Sequence, residues 1–136
     1  FVRRPGAAIY EGTTTMPYLP AVCAYEGLKY LARLEVQNIR AHTKRLVDRL
    51  QGAMPGLGYP SITPLDTPTP IVSFLTAEPD VTQDKLNRAF GQRVVSQGTW
   101  QMTGADGATQ SVRGIRIGVS VYNNDADIDA FLNALD

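Results

Sequence analysis

Residues 114–123 read Gly-Ile-Arg-Ile-Gly-Val-Ser-Val-Tyr-Asn, and this stretch decides the fold class. From Ile115 to Tyr122, β-branched aliphatic residues alternate strictly with arginine, glycine, serine and tyrosine. Successive side chains of a strand point to opposite faces of a sheet. The alternation therefore predicts a strand over 115–122 whose aliphatic face packs against helices.

The residues after this strand predict a closing helix. Asn123 or Asn124 can cap it, because a short polar side chain accepts a hydrogen bond from an unpaired amide at a helix start. Three aspartates in the first turns, at positions 125, 127 and 129, favour the positive end of the helix dipole. The apolar positions form one helical stripe, made by Ile128, Phe131, Leu132 and Leu135.

Two helices, a connector and a strand are predicted upstream. Apolar residues recur at helical intervals over 16–34 and, more cleanly, over 35–54. Pro55-Gly56 ends the second helix, and the four prolines between residues 60 and 70 predict an extended connector. Ile71–Leu75 is a short, partly β-branched run bounded by proline, which predicts a buried strand.

The middle of the chain predicts a helix followed by a strand and a turn. Thr82 is the expected N-cap of this helix, which runs to about residue 92, and Val81 and Leu86 have the spacing of a hydrophobic staple. Val94-Val95 predicts a second short strand. The glycine-rich residues 98–107 then predict a turn or hairpin tip.

The composition is that of one ordinary globular domain. The chain has 136 residues, of which 43% are hydrophobic and 19% charged, with 13 basic residues balanced by 13 acidic ones. This argues against a disordered chain or a disulfide scaffold. Without excess positive charge the chain lacks the usual signature of nucleic-acid binding. The order of elements predicts an α+β fold: a small, mostly antiparallel sheet with helices packed on one face.

The chain contains a single cysteine and a single histidine. Cys23 cannot form an internal disulfide, and together with His42 it provides too few ligands for a zinc site. Small apolar neighbours favour a buried structural thiol at Cys23, and the position of His42 beside an apolar stripe favours a boundary or surface histidine. No apolar run approaches the roughly 20 residues needed to cross a bilayer, and no signal-peptide pattern is present. We expect no metal site, no membrane contact and a reducing, cytoplasmic location.

Arg116 is the candidate site residue that the spacing identifies. Its same-face neighbours are Gly114 and Gly118, with Ser120 next, so the guanidinium stands on a face with little side-chain bulk. A planar bidentate donor beside free space suits a carboxylate or phosphate ligand. The same spacing also fits an exposed strand arginine that binds no ligand. Spacing by itself favours this second interpretation.

A second candidate precedes the first helix. Gly12-Thr13-Thr14-Thr15 offers hydroxyls and backbone amides where an anion would be stabilised by a helix N-terminus. Threonines at this position also serve as plain helix caps.

Two segments resemble one enzyme family. Tyr10-Glu11-Gly12-Thr13, with the helix that ends Glu26-Gly27-Leu28-Lys29-Tyr30-Leu31, looks like the E-G-T signature of class V pyridoxal-phosphate enzymes. These include cysteine desulfurases and isopenicillin-N-epimerase-like proteins. Residues 114–123 and Asp127-Ile128-Asp129-Ala130-Phe131 resemble the closing patterns R-x-S-x-x-x-Y-N and D-I-D-x-F of that family. The resemblance extends over essentially the whole chain.

The resemblance implies an organisation and a set of roles. Residues 1–34 would be the tail of the large domain and a connecting helix, and 35–136 the C-terminal small domain of a homodimeric enzyme acting on an amino acid. Arg116 would bind the substrate's α-carboxylate, while Gly12 and Thr13 would bind the phosphate of pyridoxal 5'-phosphate in the neighbouring subunit.

The chain departs from the family in two respects. Gly118 stands where the R-x-S pattern has its serine. No segment resembles the Schiff-base lysine, the aspartate under the pyridine nitrogen or the residue that stacks on the ring. We therefore expect the chain alone to be inactive and to hold no covalent cofactor.

The resemblance also bears on reaction type and assembly. Counted back from Arg116, the loop that holds the nucleophilic cysteine of desulfurases corresponds to residues 98–101, with Gln101 at the place of the cysteine. Cys23 belongs to a different element. This favours an aminotransferase, epimerase or carbon–sulfur lyase over a desulfurase.

The family's dimer contact near Thr13 implies exposed apolar area around Met16, Tyr18 and Leu19 in the isolated chain. The alternative to an enzyme is a non-catalytic α+β module that binds a small ligand or a protein partner.

Overall fold

The computed structural model describes residues 18–136. Helices α1 to α4 span Tyr18–Leu34, Val36–Ala53, Pro79–Phe90 and Asp125–Leu135, and a short 3-10 turn at Met54–Leu57 follows α2. Strands β1 to β3 span Ile71–Leu75, Ser96–Thr103 and Thr109–Gly118. The described elements occur in the predicted order. The chain divides between Glu35 and Val36 into two compact units, whereas the family resemblance implied a division after residue 34. The large-domain and small-domain roles remain a prediction.

The three strands form one antiparallel sheet in the order β1-β3-β2, which confirms the α+β prediction. β3 is central, with Ile117 opposite Val72 and Ile115 opposite Phe74 of β1. On the other side of β3, Arg116 pairs with Ser96 of β2. Because side chains alternate along a strand, Ile115 and Ile117 share one face and Arg116 lies on the other.

The hydrophobic core is built from the aliphatic face of the sheet and from the apolar stripes of α2, α3 and α4. The sheet and the segment that follows it contribute Val72, Phe74, Ile115, Ile117 and Val119, all 7% exposed or less. The helices contribute Leu46, Val47, Leu50, Leu86, Ile128, Phe131 and Leu135. The predicted burial of the α4 stripe is thereby confirmed, with Leu132 packed at its edge.

Asn124, rather than Asn123, caps α4. The Asn124 side chain accepts hydrogen bonds from the amides of Ala126 at 2.8 Å and Asp127 at 3.3 Å. The Asp127 carboxylate accepts in return from the Asn124 amide at 2.9 Å, which completes a capping box. Asn123 instead closes the preceding turn, since its side-chain oxygen accepts from the Ser120 amide at 2.8 Å.

The predicted start of α3 is wrong. The helix begins at Pro79, and Thr82 lies one turn inside it, where its hydroxyl donates to the Glu78 carbonyl at 3.1 Å. Val81 is 58% exposed, so it is not part of a staple. Proline is well suited to the first helical position because it has no amide to leave unpaired and its φ is already helical.

The predicted hairpin is also displaced. Val94 and Val95 precede the strand, and β2 continues through Gly98 to Thr103, so the turn is confined to residues 104–108. Gly107 adopts a φ of 77° there, a conformation that favours glycine. β3 begins six residues before the predicted strand and ends at Gly118, and Tyr122 lies in a turn. The predicted alternation holds through Val119, while Val121 is 37% exposed.

Helix α1 has no buried residue. Cys23 is exposed, so the prediction of a buried thiol is wrong. Tyr18 and Leu19 are 75% and 74% exposed, as the sequence predicted, and Met16 lies outside the described residues. No helix among residues 18–136 is long and apolar enough to cross a membrane.

The prediction for His42 is confirmed, because this residue is half-buried at the edge of α2. Its Nε2 donates to the Asn123 carbonyl at 2.8 Å.

Candidate functional site

The open face is the side of the sheet opposite the core. The strand register places on it Ile71, Ser73 and Leu75 of β1, Ser96, Gly98 and Trp100 of β2, and Val112, Gly114, Arg116 and Gly118 of β3. It therefore combines apolar side chains, small residues and one cation. The sequence predicted Gly114, Arg116 and Gly118 on this face, but neither Val112 nor the β2 members.

Arg116 lies at the centre of the open face. The register places it between Ser73 of β1 and Ser96 of β2, so its neighbours across the sheet are short hydroxyl side chains. Its side chain is exposed, and within the described residues it forms no ion pair. An exposed guanidinium without a carboxylate partner keeps its fork of donors available for a planar anion.

Trp100 contacts Arg116 and was missed by sequence reasoning, which placed it in a loop. The centre of the indole ring lies 5.7 Å from Arg116 Cζ, the distance of a cation–π contact. The ring covers Gly98, where a methyl group would overlap it. The signal available in the sequence was the two-residue spacing of Gly98 and Trp100, which places both on one face of a strand.

The two glycines beside Arg116 have different roles. At Gly114 a Cβ atom would overlap the carbonyl oxygen of Phe74 in β1, so glycine permits the close approach of the two strands. At Gly118 a Cβ atom would meet nothing within 4 Å. The free space predicted beside Arg116 is therefore present at Gly118, whereas at Gly114 the missing side chain is required by backbone packing.

Arg113, on the same strand as Arg116, differs from it because Arg113 has a carboxylate partner. Arg113 Nη2 donates to Asp80 Oδ2 at 3.0 Å. Hydrogen bonds from Arg113 and then Gln97 lower the pKa of the Asp80 carboxyl, so this carboxylate stays charged and paired. β3 thus has one arginine that closes an ion pair within the fold and one that is left available.

Other predicted site residues lie elsewhere. Gly12 and Thr13 are outside the described residues. Gln101 is in β2 opposite Ser111, on the face away from Trp100, so its predicted position in a loop is wrong. The turn between β2 and β3 spans 104–108, so residues 98–101 do not form the loop that was matched to the cysteine loop of desulfurases. The identity of Gln101 therefore neither supports nor opposes a desulfurase reaction.

The described residues do not by themselves fit the covalent cofactor of the family. An imine-forming lysine needs an amine that is free to lose its proton. Lys29 pairs with Glu26 at 3.0 Å, and Lys85 donates to the Leu135 carbonyl at 2.9 Å. Lys44 pairs with Asp48 at 2.6 Å, and this hydrogen bond raises the pKa of the ammonium. No described group of three His, Cys, Asp or Glu side chains could hold a metal ion.

A scan against protein-family models and a search of curated proteins found no match to this chain. The family resemblance therefore remains a prediction from the residues quoted above.

Proposed function

We propose that this chain is the C-terminal part of a pyridoxal-phosphate-dependent, class V aminotransferase-like enzyme, in which Arg116 binds the α-carboxylate of an amino-acid substrate. The observation that supports this most directly is the guanidinium of Arg116, which lies at the centre of an exposed sheet face and forms no ion pair with any residue from 18 to 136. The residue implied by the resemblance is thus the one whose surroundings suit the role.

The surroundings of Arg116 support a positioning function for the site. A bidentate contact fixes both the place and the plane of a carboxylate. The Trp100 ring lies within cation–π distance of the guanidinium, and the space beside Gly118 leaves room for the bound molecule. An anchored carboxylate would hold the Cα atom of the substrate in a fixed position for chemistry at that carbon.

The proposal includes the rest of the assembly. The Schiff-base lysine would come from residues other than those described, and Gly12 and Thr13 would bind the cofactor phosphate across a homodimer. We place the enzyme in the cytoplasm, where the single exposed Cys23 stays reduced. The open face would also serve a non-catalytic module that binds a carboxylate, so the first experiment tests Arg116 and the second tests catalysis.

The first experiment titrates L-alanine into the 136-residue chain while the arginine side-chain signals are followed by NMR. We expect weak binding, in about the millimolar range, because solvent competes at an exposed guanidinium. The Arg116 signal should move and the Arg113 signal should not. L-alanine methyl ester, which lacks the carboxylate, should leave both unchanged. Equal shifts for acid and ester, or none at Arg116, would contradict the carboxylate role.

The second experiment uses the complete enzyme encoded by the same gene. Arg116→Ala should lower kcat/KM by about 10- to 100-fold, the equivalent of a lost charge-assisted contact of about 1.5–3 kcal/mol. Arg113→Ala is the matched control on the same strand and should change stability more than KM. A gene product without a cofactor-binding lysine would contradict the enzyme and favour the binding module.

A further inference from the structure

A recess separate from the open face lies between α2, the proline-rich connector and the residues that follow β3. Its volume is about 360 Å³, within the range of small-molecule sites. The lining is mainly apolar and includes Val36, Ile39, Pro68, Pro70, Val119 and Val121. None of these residues belongs to the open face. We call this recess the α2 cavity.

Hydrogen bonds and an ion pair brace all three walls of the α2 cavity. Lys44 of α2 lies 3.5 Å from the Asp66 carboxylate of the connector. The Val119 amide donates to the Pro70 carbonyl at 2.8 Å, which joins the connector to the end of the sheet. The contact from His42 to the Asn123 carbonyl, at 2.8 Å, joins α2 to the turn after β3. The cavity is therefore preformed, which lowers the cost of ordering it around a ligand.

Among residues 18–136, the charged and the buried polar side chains that line the α2 cavity have partners within the fold, except at Arg40. Thr43 is buried and its hydroxyl donates to the Ile39 carbonyl at 3.0 Å. The charge of Lys44 is balanced by Asp48 and Asp66. Arg40 lines the cavity and is exposed, and within residues 18–136 its guanidinium has no hydrogen bond or ion pair. The recess thus combines an apolar interior with one unpartnered cation at its rim.

We propose that the α2 cavity binds a small monocarboxylate with an apolar body. The carboxylate pairs with Arg40, and the hydrocarbon lies between α2 and residues 119–121. One unpaired cation matches one negative charge, and the nearby carboxylates of Asp48 and Asp66 disfavour a dianion such as phosphate. The apolar lining favours a hydrocarbon over a sugar or a polar amino-acid side chain.

The test is calorimetric and NMR titration of the full chain with octanoate, with octan-1-ol as the uncharged comparison. Octanoate should bind more tightly than octan-1-ol and should shift the amide signals of Val119 and Ser120. Arg40→Gln should weaken octanoate binding about tenfold through loss of a charge-assisted contact, and should leave octan-1-ol binding unchanged. Arg88→Gln, which removes an exposed arginine from α3 outside the cavity, is the matched control and should change neither.

A second variant tests the apolar part of the assignment. Val36 is 67% exposed at the mouth of the cavity, so Val36→Phe should fold and should weaken both probes by occupying apolar volume. Three results would overturn the proposal: equal affinities for octanoate and octan-1-ol, an Arg40→Gln effect no larger than that of Arg88→Gln, or no shift of the cavity amides at millimolar octanoate.

Discussion

Helices α1 and α4 have similar apolar periodicity and opposite environments. In α4 the stripe is buried, with Ile128 at 5% and Phe131 at 7% exposure. In α1 the corresponding side chains face solvent, with Leu28 at 65% and Val22 at 58%. Periodicity therefore identified both helices correctly, but it did not determine whether an apolar stripe has something to pack against.

The two helices also differ in what holds them in place. α4 has a capping box at its start, and its first turns form ion pairs with α2: Arg45 Nη1 to Asp125 Oδ1 at 2.6 Å, and Arg49 to Asp129. On α1, Lys29 forms an ion pair with Glu26, which belongs to the same helix. Most helical stability in proteins comes from packing of an apolar face. We therefore expect α1 to contribute little to the cooperative stability of residues 36–136.

The largest expected effect is loss of a buried side chain from α4. Phe131→Ala should lower the free energy of unfolding by about 3–5 kcal/mol, because it removes a large contact and leaves a cavity. Leu28→Ala in α1 should change it by no more than about 0.5 kcal/mol. Urea unfolding of both variants measures the contrast. A loss of several kcal/mol in Leu28→Ala would show that the α1 stripe is covered in solution.

The helix cap is the next largest contribution. Asn124→Ala removes the acceptor for two amides at the start of α4 and should destabilise the domain by about 1 kcal/mol. Asn124→Gly leaves the backbone amides at the helix start accessible to water, so it should lower the free energy of unfolding by only a few tenths of a kcal/mol. No measurable loss in Asn124→Ala by thermal or urea unfolding would show that the side-chain acceptor is not the stabilising feature.

A substitution at Gly27 tests the stability of α1 in the opposite direction. It lies within the helix, and a Cβ atom there would meet nothing within 4 Å. Gly27→Ala should stabilise α1 locally by about 0.5–1 kcal/mol, because alanine loses less backbone entropy than glycine. Amide exchange in α1 should slow while the urea midpoint of residues 36–136 stays unchanged. A raised midpoint would mean that α1 unfolds together with the rest of the domain.

The smallest expected effect is the acid sensitivity of the contact between α2 and α4. A hydrogen bond from Arg45 lowers the pKa of Asp125 below its ordinary value of 3.8. The pair therefore contributes stability at pH values above 3.8, and this contribution is lost as pH falls through the lower folded-state pKa. Asp125→Asn should flatten the acid limb of a plot of stability against pH. Asp84→Asn on α3, where the described structure shows no ion pair, is the control. Identical acid limbs in the wild type and Asp125→Asn would refute a role for this pair.

The features that the sequence predicted correctly are those governed by local periodicity. The alternation from Ile115 to Val119 predicted both the strand and the face on which Arg116 lies. The stripe ending at Leu135 predicted a buried face of α4. Each follows from the fixed repeat of a strand or a helix, which neighbouring elements do not alter.

The features that the sequence missed depend on competing local signals. Pro79 was not recognised as the start of α3, so Thr82 was predicted as the N-cap. The N-cap position is Glu78, four residues earlier. Gly98 suggested a turn, although it lies in a strand beneath the Trp100 ring. Glycine and proline end a helix or strand at some positions and are well accommodated within it at others. Which of the two applies depends on the neighbouring residues in the folded structure.

The sequence by itself determined the order of the elements, the α+β class and the orientation of Arg116, because each is set by spacing along a few neighbouring residues. The contact of Trp100 with Arg116, the bracing of the α2 cavity and the exposure of Cys23 were decided only by the tertiary structure. Trp100 meets Arg116 through the register of β2 on β3, and the walls of the cavity come from three separate segments. Contacts between residues distant in sequence depend on the relative placement of elements, which no local pattern encodes.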